Sequence, residues 1–261
     1  MIPTTPVRAR LVALCTLAVA TVATAACGTK EAPSGLQPTG ATGRVRFVDL
    51  ITDTTRGRVN AILEGVPFGV NMTYTNTTPA SLAAPSTAPY AAIYTGNRVL
   101  VLKRTADTTN TVATINFTVA DGQDRTIYAI GGTGGGAIGS LVTTDDNTAS
   151  SATQTRLRVV NLSPTAGAVD VFLTAAGADL ATATPIVSGL AYQAASSSAL
   201  ATPGSYTLRA VPAGTLAANR NTAVTITLNG VALAGATGRT VVLADRATGG
   251  APLTAFVLTD R

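Results

Sequence analysis

The stretch Arg44-Val45-Arg46-Phe47-Val48-Asp49-Leu50 decides the fold, because it returns later in the chain as Arg156-Leu157-Arg158-Val159-Val160-Asn161-Leu162. Both copies are rich in β-branched and apolar residues, which favour strands. A later landmark recurs in the same order, as Thr144-Asp145 and then as Thr259-Asp260. Similarity that keeps its order over this length indicates a tandem duplication.

From Arg44 onward, short β-prone runs alternate with Gly, Pro, Asn and Asp, without a helical stripe of useful length. Apolar and polar side chains alternate in residues 222–227, as in a strand with one buried and one hydrated face. Pro203-Gly204 and Asn229-Gly230 are predicted turns between strands. The pattern predicts an all-β protein with two tandem immunoglobulin-like antiparallel β-sandwich domains.

The N-terminus predicts a lipoprotein signal peptide over residues 1–26, with a basic start and a weakly apolar run that ends in small side chains. This run is shorter than the roughly 20 apolar residues of a spanning helix. It closes as Ala25-Ala26-Cys27, which resembles the bacterial lipobox, so Cys27 is the predicted lipidation site. Thr24 stands where that pattern usually has Leu, and cleavage after Ala25 to give a secreted product is the alternative.

The rest of the chain divides by composition. A polar, Pro/Gly-rich stretch over residues 27–42 is predicted to be a flexible tether. It leads into a first sandwich domain over 43–147, a polar linker over 148–155 and a second sandwich domain over 156–261. The residue after Cys27 is not Asp, which favours the outer membrane or cell surface for a lipid-anchored protein of the cell envelope.

The second copy carries a family resemblance through Arg158-Val159-Val160-Asn161-Leu162-Ser163-Pro164, Val169-Asp170-Val171 and residues 203–209. These motifs are similar to those of the bacterial family called domain of unknown function 4397. The resemblance implies exported or lipid-anchored envelope proteins with sandwich-like domains, in two copies over nearly all of the mature chain. It implies no known activity. The first copy departs from the pattern, with Asn60 in the place of Asp170.

Composition excludes several classes of site. The chain has no His, and outside the predicted signal its only Cys is Cys27, so Ser-His-Asp and Cys-His catalysis and zinc or copper sites are excluded. Arginines are scattered singly and form no basic run interleaved with aromatics, so nucleic acid is not an expected partner. Asp121, Asp124 and Asp145-Asp146 leave calcium as an alternative, although turns and a domain end also explain them. We predict no catalytic residue, metal or cofactor, and therefore no enzyme.

Tyr90 and Tyr192 are the candidate ligand-binding residues, because they lie near the most variable loops and offer faces on which sugars or peptides can stack. Core packing with the hydroxyl at the rim is the alternative. The predicted function is a non-catalytic envelope lipoprotein that presents two sandwich domains for a structural or extracellular binding role. Its predicted partners are the membrane, through Cys27, and an envelope protein or glycan. A secreted carbohydrate-binding or adhesion module is the alternative.

Overall fold

A computed structural model describes residues 40–53, 57–79 and 89–260. The predicted signal peptide and Cys27 lie outside the described residues. The first half of the described chain contains β1 (Thr42–Ile51), β2 (Val59–Leu63), β3 (Val66–Met72), β4 (Thr77–Thr78), β5 (Ala91–Tyr94), β6 (Gly96–Arg104), β7 (Thr111–Val119), β8 (Asp124–Gly131) and β9 (Ile138–Asp145). The second half contains β10 (Thr155–Asn161), β11 (Val169–Thr174), β12 (Val187–Leu190), β13 (Ala194–Ala195), β14 (Ala199–Ala201), β15 (Gly204–Pro212), β16 (Ile226–Leu233), β17 (Thr237–Ala244) and β18 (Thr254–Thr259).

The two halves have the same strand order. In the first half one sheet runs β4-β1-β8-β9, with β5 also paired to β1, and the other runs β3-β2-β6-β7. The second half repeats this arrangement as β13-β10-β17-β18, with β14 on β10, and β12-β11-β15-β16. The all-β sandwich prediction is confirmed. Each sheet that contains β1 or β10 is nevertheless mixed, because β1 runs parallel to β8 and β10 runs parallel to β17.

Each half has its own apolar core between its two sheets. Side chains from both sheets meet there, including Phe47, Leu100, Leu102 and Ile127 in the first half and Leu157, Leu208, Ile226 and Val241 in the second. At roughly 25 cal/mol per Å² of buried apolar surface, such clusters are the main source of stability.

A third cluster joins the halves. Val48 and Leu50 of β1, with Tyr128 and Ile130 of β8, pack against side chains in or next to β10, β17 and β18, namely Val160, Leu162, Val242, Ala244 and Leu258. The sheets containing β1 and β10 therefore pack face to face, and we call them the inner sheets. This packing explains why β1 is almost continuously buried from Val45 to Ile51, since a strand covered on both faces does not alternate.

The turn predicted at Asn229-Gly230 was wrong. These residues lie inside β16, where two residues oppose one residue of β15 between the pairs Tyr206–Val231 and Leu208–Leu228. Gly230 has a φ of 67°, which glycine adopts without steric cost. The Asn-Gly pair therefore forms a β-bulge within one strand.

We call the β3-β2-β6-β7 and β12-β11-β15-β16 sheets the outer sheets, and they differ in how their outward faces are covered. In the second half, Leu180 from the β11–β12 connection is buried against Phe172 and Val211, and the Arg220 guanidinium lies 5.1 Å from the centroid of the Phe172 ring. In the first half the corresponding connection is only the turn Glu64-Gly65. The outward face of the β3-β2-β6-β7 sheet is consequently open as far as the described residues show, with Val70 exposed. Within those residues no helix is long and apolar enough to cross a bilayer.

Candidate functional site

Four buried charged groups lie between the inner sheets. Arg46 of β1 and Arg158 of β10 occupy matching positions in the two halves. Nη2 of Arg46 lies 2.8 Å from Oδ1 of Asp260, and Nη1 of Arg158 lies 2.7 Å from Oδ1 of Asp145. The arginine of each half thus forms an ion pair with an aspartate of the other half. That aspartate lies at the end of the last strand of its half.

Matching threonines complete the two ion pairs. Arg46 donates from Nε and Nη2 to Oγ1 of Thr126, at 3.2 and 3.0 Å, and Arg158 donates to Oγ1 of Thr240 at 3.3 and 3.1 Å. Each threonine hydroxyl donates in turn to the aspartate of its own half, Asp145 or Asp260. The same pattern in both directions gives the interface an approximate two-fold symmetry. We call these six side chains the junction network.

The junction network is sealed from solvent. The Arg46 side chain retains 3% of its exposure and that of Asp145 only 1%. Burial by itself raises the pKa of Asp145, but the charge of Arg158 and hydrogen bonds from Arg158, Thr126 and Thr143 outweigh it and hold the pKa below its usual value. A carboxylate kept ionised by a buried arginine suits structural pairing, because solvent and substrate cannot reach it.

Tyr90 packs against the junction network. Only 5% of the residue is exposed, its hydroxyl donates to Oδ2 of Asp145 at 2.7 Å, and the Arg46 guanidinium lies 4.5 Å from the ring centroid. The buried ring has no face on which a sugar can stack, so the ligand-binding role predicted for Tyr90 is corrected to packing and cation–π contact. Tyr192 is half-buried against the interface cluster, and its predicted role stays a prediction.

Tyr128 is fully buried in the same interface, and among the described residues its hydroxyl has no hydrogen-bond partner. The second half has the apolar Val242 at the matching position of β17. An unsatisfied buried hydroxyl costs about 1–3 kcal/mol. We therefore expect Tyr128→Phe to raise the free energy of unfolding by about 1 kcal/mol, measured by urea denaturation. A loss of stability would show that the hydroxyl is satisfied by an ordered water.

The acids considered for calcium are engaged by cations or amides. Asp124 accepts from Nε and Nη2 of Arg44 at 2.7 and 2.5 Å and from the amide of Asn147 at 2.5 Å. Asp145 is paired with Arg158. Across the described ranges, no three His, Cys, Asp or Glu side chains come together in a group that could hold a metal ion.

The structure also explains how Asn60 can stand in the first half where the second half has Asp170. Asp170 accepts from the backbone N–H groups of Gly189 and Gly214, at 2.7 and 3.1 Å. Asn60 accepts from the N–H of Asn71 at 2.8 Å and the hydroxyl of Thr105 at 2.9 Å. Both side chains tie the second strand of their half, β2 or β11, to the next strand and to a loop, which is a structural use of hydrogen-bond acceptors.

A second candidate site lies on the open outer face of the first half. It is a groove of about 440 Å³, lined by Glu64, Asn97, Arg98, Val99, Asn116, Phe117 and Thr118. The sequence offered one signal for it, because Glu64 is the only glutamate downstream of the tether. Nothing in the sequence connected Glu64 with β6 and β7, since that proximity depends on the pairing of β2 with β6.

The solved structures that match this chain include two of low similarity. One is CBMbc, of family CBM26, from Eubacterium rectale Amy13K in complex with maltoheptaose, with 8% identity, a TM-score of 0.24, and coverage of 84% of this chain and 97% of that one. The other is a leucine-rich repeat protein from Bacteroides thetaiotaomicron VPI-5482, with 10% identity, a TM-score of 0.18, and coverage of 79% and 26%. Neither likeness is close enough to carry an argument.

No curated protein matches the chain. Residues 43–172 match the family described as "Domain of unknown function (DUF4397)". The match covers the first half and the opening two strands of the second, whereas the motifs that suggested the family came from the second copy. Through residues 43–172, the chain belongs to the domain of unknown function 4397 family.

Proposed function

We propose that this protein is a non-catalytic lipoprotein of the cell envelope, anchored through an acylated Cys27, that presents a rigid pair of β-sandwiches for a structural or extracellular binding role. The observation that carries the proposal is the junction network. Two arginines and two aspartates are buried to bind the halves to each other, so the unit is built to keep its shape.

The direction of the strands supports presentation at one end. β1 begins at Thr42 and runs parallel to β8, so the β8–β9 connection lies at the end of the inner sheet opposite to Thr42. At that far end the Tyr74 hydroxyl donates to the backbone carbonyl of Asp245, which links loops of both halves. The loops at this end are therefore the candidates for a presented surface.

The anchor is tested by intact mass and membrane fractionation of the expressed protein and of a Cys27→Ala variant. We expect a mass increase corresponding to acyl chains, with membrane association lost in Cys27→Ala, because lasting attachment needs two or more acyl chains. Cys15→Ala is the matched control and should leave the mature mass unchanged, since residue 15 falls in the predicted signal. An unmodified soluble product that begins at Ala26 would refute the anchor and favour a secreted module.

A further inference from the structure

We propose that the groove on the outer face of the first half binds a neutral glycan chain. The groove is formed by Glu64 at the β2–β3 turn, by Asn97, Arg98 and Val99 of β6, and by Asn116 and Thr118 of β7. The inference rests on the proposed non-catalytic role and names the class of ligand.

The backbone of the β2–β3 turn is strained. Glu64 has a φ of 51° and Gly65 a φ of 80°, which is the pattern of a two-residue hairpin with both central residues in the left-handed region. Gly, Asn or Asp is preferred at the first of these positions, and glutamate is strained there. Observed strain that local sequence does not require points to function.

The strained turn fixes a carboxylate at the groove. Oε1 of Glu64 accepts from the backbone N–H of Val99 at 2.5 Å, and Oε2 lies 3.6 Å from Nη1 of Arg98. Arg98 is itself held by donation to the backbone carbonyls of Tyr94 and Thr95, at 2.9 and 2.6 Å. Polar groups that are immobilised before binding lose little entropy when a ligand arrives.

Two amides at the groove have free hydrogen-bonding capacity. Oδ1 of Asn97 accepts from the Thr118 hydroxyl at 2.9 Å, which leaves the amide N–H groups of Asn97 without a partner among the described residues. The side chain of Asn116 is exposed, and it makes no hydrogen bond to any of the described residues. An amide offers both donors and an acceptor, as vicinal hydroxyls of a sugar require.

The charge and apolar character of the groove favour a neutral sugar. Glu64 and Arg98 cancel each other's charge, so neither an anion nor a cation is attracted overall. Val99, which is 37% exposed, supplies an apolar surface beside the amides. A sugar ring presents the matching combination of hydroxyls and C–H groups. In the second half, Leu180 from the β11–β12 connection packs against Phe172 and Val211 of the corresponding sheet.

The experiment is isothermal titration of the full mature chain with maltoheptaose, cellohexaose and xylohexaose, and with polygalacturonate as an acidic comparison. We expect saturable binding of at least one neutral oligosaccharide. Asn116→Ala and Glu64→Gly should each weaken it at least about tenfold, which corresponds to about 1.4 kcal/mol. Thr227→Ala, at an exposed position of β16 in the second half, is the matched control and should bind normally.

Glu64→Gly also separates function from folding. Glycine suits the left-handed backbone at this turn, so the variant should unfold at a temperature about 1–3 °C higher while binding more weakly. A lower unfolding temperature would show that Glu64 is retained for stability and would overturn the inference. Binding that persists in both groove variants, or binding of polygalacturonate alone, would also overturn it. Membrane association that depends on Cys27 would leave the proposed function intact in each of these cases.

Discussion

Replacing Arg158 with Met is expected to lower the free energy of unfolding by about 3–5 kcal/mol, the usual cost of removing one partner from a buried ion pair. Asp145, the partner, is 1% exposed, so its charge would remain buried without the guanidinium that balances it. Urea denaturation of the full chain at pH 7 measures the effect. Arg156→Met is the matched control on the same strand.

Arg156 lies two residues before Arg158 and pairs with Asp146 at 2.9 Å, where both side chains are partly exposed. Surface pairs of this kind contribute about 0–1 kcal/mol, so the control should unfold almost like the parent. A similar loss in both variants would mean that general charge effects decide the result, and that the junction network does not stabilise the interface.

A double variant tests whether the network acts as a unit. Arg158→Met combined with Asp145→Asn leaves no uncompensated charge at this pair, so its destabilisation should be smaller than the sum of the two single effects. We expect a coupling energy of about 1–3 kcal/mol. Strict additivity would contradict direct pairing of Arg158 with Asp145.

The sequence predicted those features of the fold that depend on local pattern, namely the strands and the repeat. The repeat of Arg46 as Arg158 and of Asp145 as Asp260 was visible in the sequence, and the two repeated β-prone runs that begin at Arg44 and Arg156 lie in β1 and β10. The pairing of Arg46 with Asp260 was not predictable, because it joins residues 214 positions apart through the packing of two sheets. Periodicity shows that a face is buried, and leaves open which surface covers it.

The candidate sites depended still more on tertiary structure. Tyr90 was placed near a variable loop from sequence, yet its ring is covered by Arg46 from β1 and its hydroxyl meets Asp145 from β9. Glu64 attracted no functional prediction, because its left-handed backbone and its contact with Val99 exist only in the folded hairpin. Single residues between strands carry little local signal about their partners.

Replacing Asp49 with Asn is expected to stabilise the protein by roughly 2–3 kcal/mol at pH 8. Asp49 is 3% exposed, and it lies on the same side of β1 as Phe47 and Ile51, which pack in the first core. Burial raises its pKa from 3.8 to about 6, although the backbone N–H of Ile51 partly offsets this by donating to the carboxylate. A pKa that is higher by one favours the protonated carboxyl by about 1.4 kcal/mol.

The second half shows why an amide suits this position. Asn161 matches Asp49, and its amide nitrogen donates to the backbone carbonyls of Gly167 and Leu190 at 2.7 and 3.0 Å. An ionised carboxylate has no proton to donate, so Asp49 cannot make such bonds at neutral pH. The first half therefore carries a buried charge where the second half has a neutral, hydrogen-bonded side chain.

The pH dependence gives the sharper test, since a raised folded-state pKa has a definite sign. The contribution of Asp49 to stability is fully present below the unfolded-state pKa of 3.8, falls as pH rises toward about 6, and is constant at its lowest value above that. Unfolding free energies of Asp49→Asn and the parent should thus diverge between about pH 4 and 6 and remain apart at pH 8. Asp121→Asn, at an exposed carboxylate, is the control and should follow the parent. A gain of equal size at about pH 3.5 would refute the buried charge as its cause, because Asp49 is already protonated there.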